Sequence, residues 1–167
     1  EIYNFMELRG ELAEAGHVFA TDHSDTEVLL HGYEEWGEGM LARLRGMFAF
    51  ALWDEKDKSL FCARDHFGIK PLYYYQNGRG EFLFGSEIKS FLPHPGFEKK
   101  LNEDQLELYL TYQYSPGENT FFEGVKKLPP AHFLRWKDGE VSVRRYWEPS
   151  FEPDGSLTLE DWETEIQ

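Results

Sequence analysis

The sequence is short of three things: cysteine, basic residues and long apolar runs. Among 167 residues there is one cysteine, Cys62, so no disulfide can close within the chain and nothing in its cysteine usage calls for secretion. Lysine and arginine total 17 against 31 acidic residues, a formal net charge of −14. A surface that acidic repels phosphate backbones and anionic headgroups, which argues against nucleic-acid or membrane binding through a basic face. The acidity reads instead as a solvated, soluble exterior. No apolar stretch approaches a membrane span and no secretory leader is visible, so the expected location is the cytoplasm. Boundary signals are missing too. The sequence opens on Glu1-Ile2-Tyr3-Asn4 with no initiator methionine and closes on a helical pattern over 159–167 with no stop signal. A piece of a longer chain is expected.

What is present suits a packed core: 41% hydrophobic residues, 17% of the chain aromatic. Asn4 with Glu7 has the spacing of a capping box, and Phe5, Leu8 and Leu12 follow on one helical face. Ser24 with Glu27 repeats the signature ahead of Leu29, Leu30, Tyr33 and Trp36, and Gly37 stops that helix. A short helical turn is expected over 40–44. In Phe48-Ala49-Phe50-Ala51-Leu52-Trp53 large residues alternate with alanines, which predicts a strand buried on both faces. Asp54 to Lys58 is a solvated turn, lacking the glycine and terminal glutamate of a calcium loop. A second strand returns over Ser59–Ala63. Asn77-Gly78 marks a hairpin between 72–76 and 81–84.

Beyond the breaker cluster at 92–96, Asn102 and Gln105 cap a helix running to Tyr112. A hairpin over 131–147 turns at Asp138-Gly139, a linker covers Phe151–Gly155, and Thr158 opens a last helix. Two helices followed by antiparallel strands make an α/β chain of the α+β type.

Few residues point to chemistry. Asp25 would sit in the first turn of the second helix, either as a carboxylate favoured by the helix dipole or as a receptor for a substrate ammonium group. Arg64-Asp65-His66-Phe67-Gly68-Ile69-Lys70-Pro71-Leu72 reads as a constrained strand-to-strand connection, structural in role, with Gly68 at positive φ. Cys62, between Phe61 and Ala63 in a strand, is expected to be buried and inert. His17, His23 and His31 are spaced too loosely for a metal signature, so no metal site is expected.

Four segments resemble class II glutamine amidotransferases, and among them the asparagine synthetase family: Glu1-Ile2-Tyr3-Asn4, Ser24-Asp25-Thr26-Glu27, 46–51 and 64–74, with Ser86-Glu87-Ile88-Lys89-Ser90 following in the family's position. The resemblance covers essentially the whole chain. It implies an N-terminal-nucleophile fold, an αββα sandwich of antiparallel sheets, here incomplete at its N-terminus. It also implies three parts: residues 1–95 as the later part of the glutaminase domain, 96–155 as a connecting segment, and 156–167 as the start of an ATP-dependent synthetase domain. In that family an N-terminal cysteine attacks the glutamine side-chain amide, giving a thioester and ammonia, while an oxyanion hole stabilises the intermediate. ATP, with Mg, activates aspartate as an acyl-adenylate in the second domain.

Carried over by residue, Glu1 matches the last residue of an Asn-Gly-Glu segment lining the glutamine site. Asp25 matches the aspartate that holds the substrate's α-amino group. The nucleophile, the carboxylate-binding arginine and the oxyanion Asn-Gly pair would all precede Glu1. The chain alone is therefore expected to be inactive and, with cover missing from Phe48, Phe50 and Trp53, poorly soluble. Ala131 stands where the family usually has glycine. The alternative within the class is a related amidotransferase that amidates another acid, such as a sugar acid, and a non-catalytic module of the same fold is the rival from outside enzymology. A homodimer is left open.

Overall fold

A computed structural model describes residues 1–151 and 158–165. Two helices come first, α1 (Phe5–Glu14) and α2 (Asp25–Trp36), followed by a 3-10 helix over Gly37–Ala42. Strands β1 (Ala49–Asp54), β2 (Ser59–Arg64), β3 (Tyr73–Gln76) and β4 (Phe82–Gly85) lead to a 3-10 turn at Ile88–Phe91 and then to α3 (Glu103–Tyr112). The chain continues through β5 (Lys126–Lys127), β6 (His132–Lys137), β7 (Glu140–Arg145) and α4 (Leu159–Glu165). Every strand pairing is antiparallel, in a four-stranded sheet ordered β1-β2-β6-β7 and a three-stranded sheet ordered β4-β3-β5.

Three apolar clusters stack these layers. Leu8, Leu12, Val28 and Leu29 of the helices meet Phe48, Phe61 and Phe133 on one face of the larger sheet. Leu60, Cys62, Leu72, Leu128 and Leu134 fill the space between the sheets. Tyr75, Phe91, Phe97 and Val125 cover the outer face of the smaller sheet. Each fully buried leucine or phenylalanine is worth about 1.5–3 kcal/mol of transfer free energy, so these interfaces set the layer order. This is the α+β sandwich that the family resemblance implies. Among the described residues the cluster over the smaller sheet draws on the 3-10 turn at Ile88–Phe91 and on loops, and includes no residue of α3.

Several local expectations change. Asn4 makes no cap bond, because its side chain is spent on the 43–45 loop: Nδ2 donates to the Arg43 carbonyl at 2.9 Å and Oδ1 accepts from the Arg45 N–H at 2.9 Å. Asn102 has no side-chain cap bond either. β1 is not buried on both faces. It is an edge strand, and the three-stranded sheet takes only Ala49 of it into the inter-sheet cluster, leaving Ala51 exposed and Trp53 about half exposed at 47%. Phe48, by contrast, is fully covered by the helices. The hairpin at Asn77 is wider than a two-residue turn. The Asn77 N–H donates to the Glu81 carbonyl, while its Oδ1 accepts from the N–H groups of Arg79 and Glu81, so the side chain shapes the loop. At Asp138-Gly139 the expected tight turn is present, both residues having positive φ.

The connecting segment expected over 96–155 contributes strands to both sheets. β5 pairs with β3 and β6 with β2, so strands beyond residue 95 complete both sheets. Such non-local pairing leaves no local signal, because a strand's own sequence does not name its partner. Of the linker expected over Phe151–Gly155, residues 152–155 lie outside the described residues. At the start of α4, Thr158 accepts the Asp161 N–H on its hydroxyl while Asp161 accepts the Thr158 N–H, a reciprocal cap.

Candidate functional site

The site begins at the N-terminus of α2. Ser24 Oγ accepts the Glu27 N–H at 3.2 Å, starting the helix as the sequence predicts. Glu27 does not close a capping box. Its carboxylate turns back to the Ala20 and Thr21 N–H groups and the Thr21 hydroxyl. Those hydrogen bonds, the Thr21 hydroxyl foremost, hold the Glu27 carboxyl down at about 2. The loop before the helix is thereby fastened to it, and Asp25 is presented at the helix start.

Asp25 faces the first residues of the chain. Its Oδ2 accepts the Ile2 N–H at 3.1 Å. Residues 1–3 run antiparallel to 45–47: the Tyr3 N–H donates to the Arg45 carbonyl at 2.7 Å, the Met47 N–H to the Glu1 carbonyl at 3.2 Å, and the Glu1 nitrogen to the Met47 carbonyl at 2.8 Å. Gly46 makes the approach possible. Its φ is +150°, and a Cβ there would lie 2.2 Å from the Glu1 carbonyl oxygen. Only glycine lets the two segments touch.

A cleft of about 410 Å³ opens where these segments meet, lined by Glu1, Asp25 and Thr26 together with Lys70 and Ser86, over apolar surface from Leu29 and Phe48. The two residues carried over from the family motifs are thus brought together. Lys70 and Ser86 were not singled out for the site, although both lie in segments that carry the resemblance. Their place in the cleft depends on loop geometry that no spacing rule encodes.

The motif at 64–72 builds that geometry. The Asp65 side chain is 1% exposed and accepts three backbone N–H groups: Phe48 at 3.2 Å, Ile69 at 2.9 Å and Lys70 at 2.9 Å. Arg64 donates to three carbonyls, those of Lys70 at 2.7 Å, Leu128 at 2.6 Å and Gly68. Burial lowers the Arg64 guanidinium's pKa, and its carbonyl partners offset the cost of burying it. Gly68 does have positive φ, +66°, and a Cβ there would press within 2.8 Å of Pro130 Cγ and 3.0 Å of Arg64 Cζ. The motif is structural, as expected, but structural in the service of the cleft: it fixes Lys70 and Pro71 at its edge.

Cys62 lies in β2 with no exposed surface, and burial pushes its thiol up to about 12, so it cannot act as a thiolate. Of the three histidines, His23 stays apart on Asp22, whereas His17 and His31 converge, with Nδ1 atoms 3.2 Å apart. The sequence spacing does not show that pairing, because it needs the turn between α1 and α2.

Residues 1–147 match a family model described as a glutamine amidotransferase domain. Among curated proteins, asparagine synthetase [glutamine-hydrolyzing] 3 of Bacillus subtilis is 46% identical over 149 residues, 88% of this chain and 24% of that protein. A putative asparagine synthetase [glutamine-hydrolyzing] of Mycobacterium bovis is 45% identical over 157 residues, 90% of this chain and 24% of its own. Amidase chry2 of Gibberella zeae is 36% identical over 160 residues, 92% of this chain and 22% of its own. The chain thus spans about a quarter of the length of the curated relatives it matches. Among solved structures, the glutamine phosphoribosylpyrophosphate amidotransferase of B. subtilis superimposes with a TM-score of 0.60 at 21% identity, over 89% of this chain and 28% of that one. That likeness concerns the fold. By the match over residues 1–147, the chain belongs to the glutamine amidotransferase domain family.

Proposed function

We propose that this chain supplies the glutamine-binding face of the glutaminase in a glutamine-hydrolysing asparagine synthetase. The carrying observation is the cleft that unites Asp25 and Glu1 at the start of α2. Asp25 keeps its Oδ2 on the Ile2 N–H, so that segment and helix hold the carboxylate in place, and the carboxylate's remaining lone pairs receive the α-ammonium of glutamine. Glu1 lines the same space. No residue of this chain serves as nucleophile; that role belongs to a cysteine ahead of Glu1, acting with its own α-amino group as base. Ammonia released there is used by the parent protein to amidate aspartate at the expense of ATP, in a synthetase part that begins near residue 156. The setting is cytoplasmic.

The names of the bacterial relatives support this reading. Mg is assigned to the synthetase part and not to the described residues. The acidic run at 54–58 does not fit it, because Asp57 is held by Arg135 and Lys137, Glu55 by Trp53 and Lys58, and Asp54 by the N–H groups of residues 56 and 57. That a relative is named an amidase makes the acceptor the point to test.

The test uses the full-length protein with glutamine, aspartate and ATP, reading asparagine and AMP, beside an Asp25→Ala variant and a parallel set in which ammonia replaces glutamine. Asparagine from the wild type, with the variant losing glutamine-driven but keeping ammonia-driven synthesis, is the expected result. Glutamine hydrolysis without asparagine assigns another acid as acceptor. No glutaminase activity overturns the enzymatic reading and leaves a binding module.

A further inference from the structure

On the helix layer, away from the cleft, three donor atoms converge: His17 Nδ1, His31 Nδ1 and a Glu34 carboxylate oxygen, all within 4.8 Å of one another. His31 and Glu34 lie on α2, and His17 lies in the loop that follows α1. The two nitrogens are 3.2 Å apart, and Glu34 Oε2 stands 3.0 Å from His31 Nδ1 and 3.7 Å from His17 Nδ1. Zinc bound at about 2.0–2.1 Å to each ligand of a tetrahedron separates its donors by about 3.3 Å, and the three distances bracket that value.

The outer atoms point the same way. His17 Nε2 lies 3.0 Å from Glu35 Oε2, and His31 Nε2 faces Glu27 Oε1 at 3.9 Å. For His17 the Glu35 carboxylate at 3.0 Å favours the proton on Nε2 and leaves the Nδ1 lone pair directed inward; His31 has a carboxylate on each side, Glu34 at Nδ1 and Glu27 at Nε2, so a metal ion bound at Nδ1 would leave its proton on Nε2, facing Glu27. The inward nitrogens and the carboxylate need a proton or a metal ion between them to offset their repulsion. Both imidazoles are largely buried, at 17% and 20% side-chain exposure, while Glu34 is 65% exposed, which leaves the fourth direction open to water.

We propose that His17, His31 and Glu34 bind one divalent zinc ion, with water as fourth ligand and Glu35 orienting His17 from behind. Two imidazoles and a carboxylate are a donor set that suits zinc and excludes calcium and magnesium, which take oxygen ligands. The ion staples the α1–α2 loop to the middle of α2, the helix whose first residue is Asp25.

The test takes the full chain, without a histidine tag and stripped of metal, and titrates it with cobalt(II) as a spectroscopic substitute and then with zinc as competitor. Expected are one equivalent bound, a visible absorption band of tetrahedral cobalt, its displacement by zinc, and a higher melting temperature with zinc. Glu35→Gln should weaken binding about 10- to 100-fold, the usual effect of losing an outer carboxylate. His31→Ala should abolish the tetrahedral band, and His23→Ala should leave it intact. If His31→Ala fails to fold by circular dichroism, His17→Gln, in a loop, takes its place. No stoichiometric binding, or cobalt uptake equal in the wild type and the His17 or His31 variants, overturns the site; the pair would then share a proton instead.

Discussion

Phe48 and Asp65 are bonded to each other twice: the Phe48 N–H donates to Asp65 Oδ2 at 3.2 Å, and the Asp65 N–H donates to the Phe48 carbonyl at 2.9 Å. This reciprocal pair ties the entry to β1, which borders the cleft, to the exit from β2. Asp65 Oδ2 also takes the Lys70 N–H, so a single carboxylate oxygen links the helix-covered sheet face to the loop that carries Lys70.

Removing that carboxylate should therefore be costly. Asp65→Ala leaves three N–H groups without their acceptor in a buried place, a loss of about 3 kcal/mol or more. Asp65→Asn keeps a carbonyl oxygen for the Phe48 and Lys70 N–H groups, so its cost should be smaller, about 1–2 kcal/mol. Urea unfolding monitored by tryptophan fluorescence measures both, and equal losses would contradict the assignment of two bonds to one oxygen.

Gly46 should be irreplaceable. In Gly46→Ala the added methyl would meet the Glu1 carbonyl oxygen at 2.2 Å, backbone that no rotamer change can move aside. The 1–3 segment has to shift, taking the Ile2 N–H away from Asp25. In the full-length protein the expected result is a higher KM for glutamine with ammonia-driven synthesis unchanged. A stability loss of about 1–3 kcal/mol should accompany it. Wild-type kinetics for glutamine would show that the contact between the segments does not matter.

Ala131 should be improvable. It is buried at 3% exposure with φ of +57°, a conformation that costs a residue with a Cβ about 1–2 kcal/mol. Its N–H and carbonyl are both committed, to Asp65 and Tyr146, so the backbone cannot relax away from that angle. The Ala131→Gly change should stabilise by roughly 0.5–1 kcal/mol after the entropy of glycine in the unfolded chain is deducted. An unchanged or lower midpoint in urea would show that the methyl's packing outweighs the strain.

Acid should loosen the start of α2. The Glu27 carboxyl is held at about 2, below its ordinary value of 4.5, so the folded form prefers the charged state. For a depressed acid the stabilisation is fully present above about 4.5 and fades as pH falls from there towards 2. The stability difference between the wild type and Glu27→Gln should therefore be largest near neutral pH and shrink across that window. A difference independent of pH would mean that the glutamine side chain replaces the carboxylate bond for bond.

Local patterns were legible wherever short-range chemistry decides. Ser24 caps α2 as predicted, Gly68 takes the positive φ its neighbours demand, Asp138-Gly139 makes the tight turn, and Cys62 is buried and inert. Asn4 and Asn102 carry the same type of cap signature as Ser24, yet neither side chain makes a cap bond. Asn4 fails as a cap because a stronger set of partners, the backbone of Arg43 and Arg45, lies across the fold. The alanine face of β1 was misread because alternation reports which residues share a face, not whether a second sheet is wide enough to cover it.

The sequence alone determined the helices, the hairpins and the family resemblance, and through that resemblance it nominated Glu1 and Asp25, which line one cleft. These depend on periodicity, capping and short motifs, which are properties of neighbouring residues. Tertiary structure alone decided that β2 pairs with β6 and β3 with β5, that Lys70 and Ser86 border the same cleft as Asp25, and that His17 meets His31 beside Glu34. In each case the partners are far apart in the chain. They are brought together by burial of the three apolar layers, a non-directional force that marks in the spacing which face of an element is buried but not which element covers it.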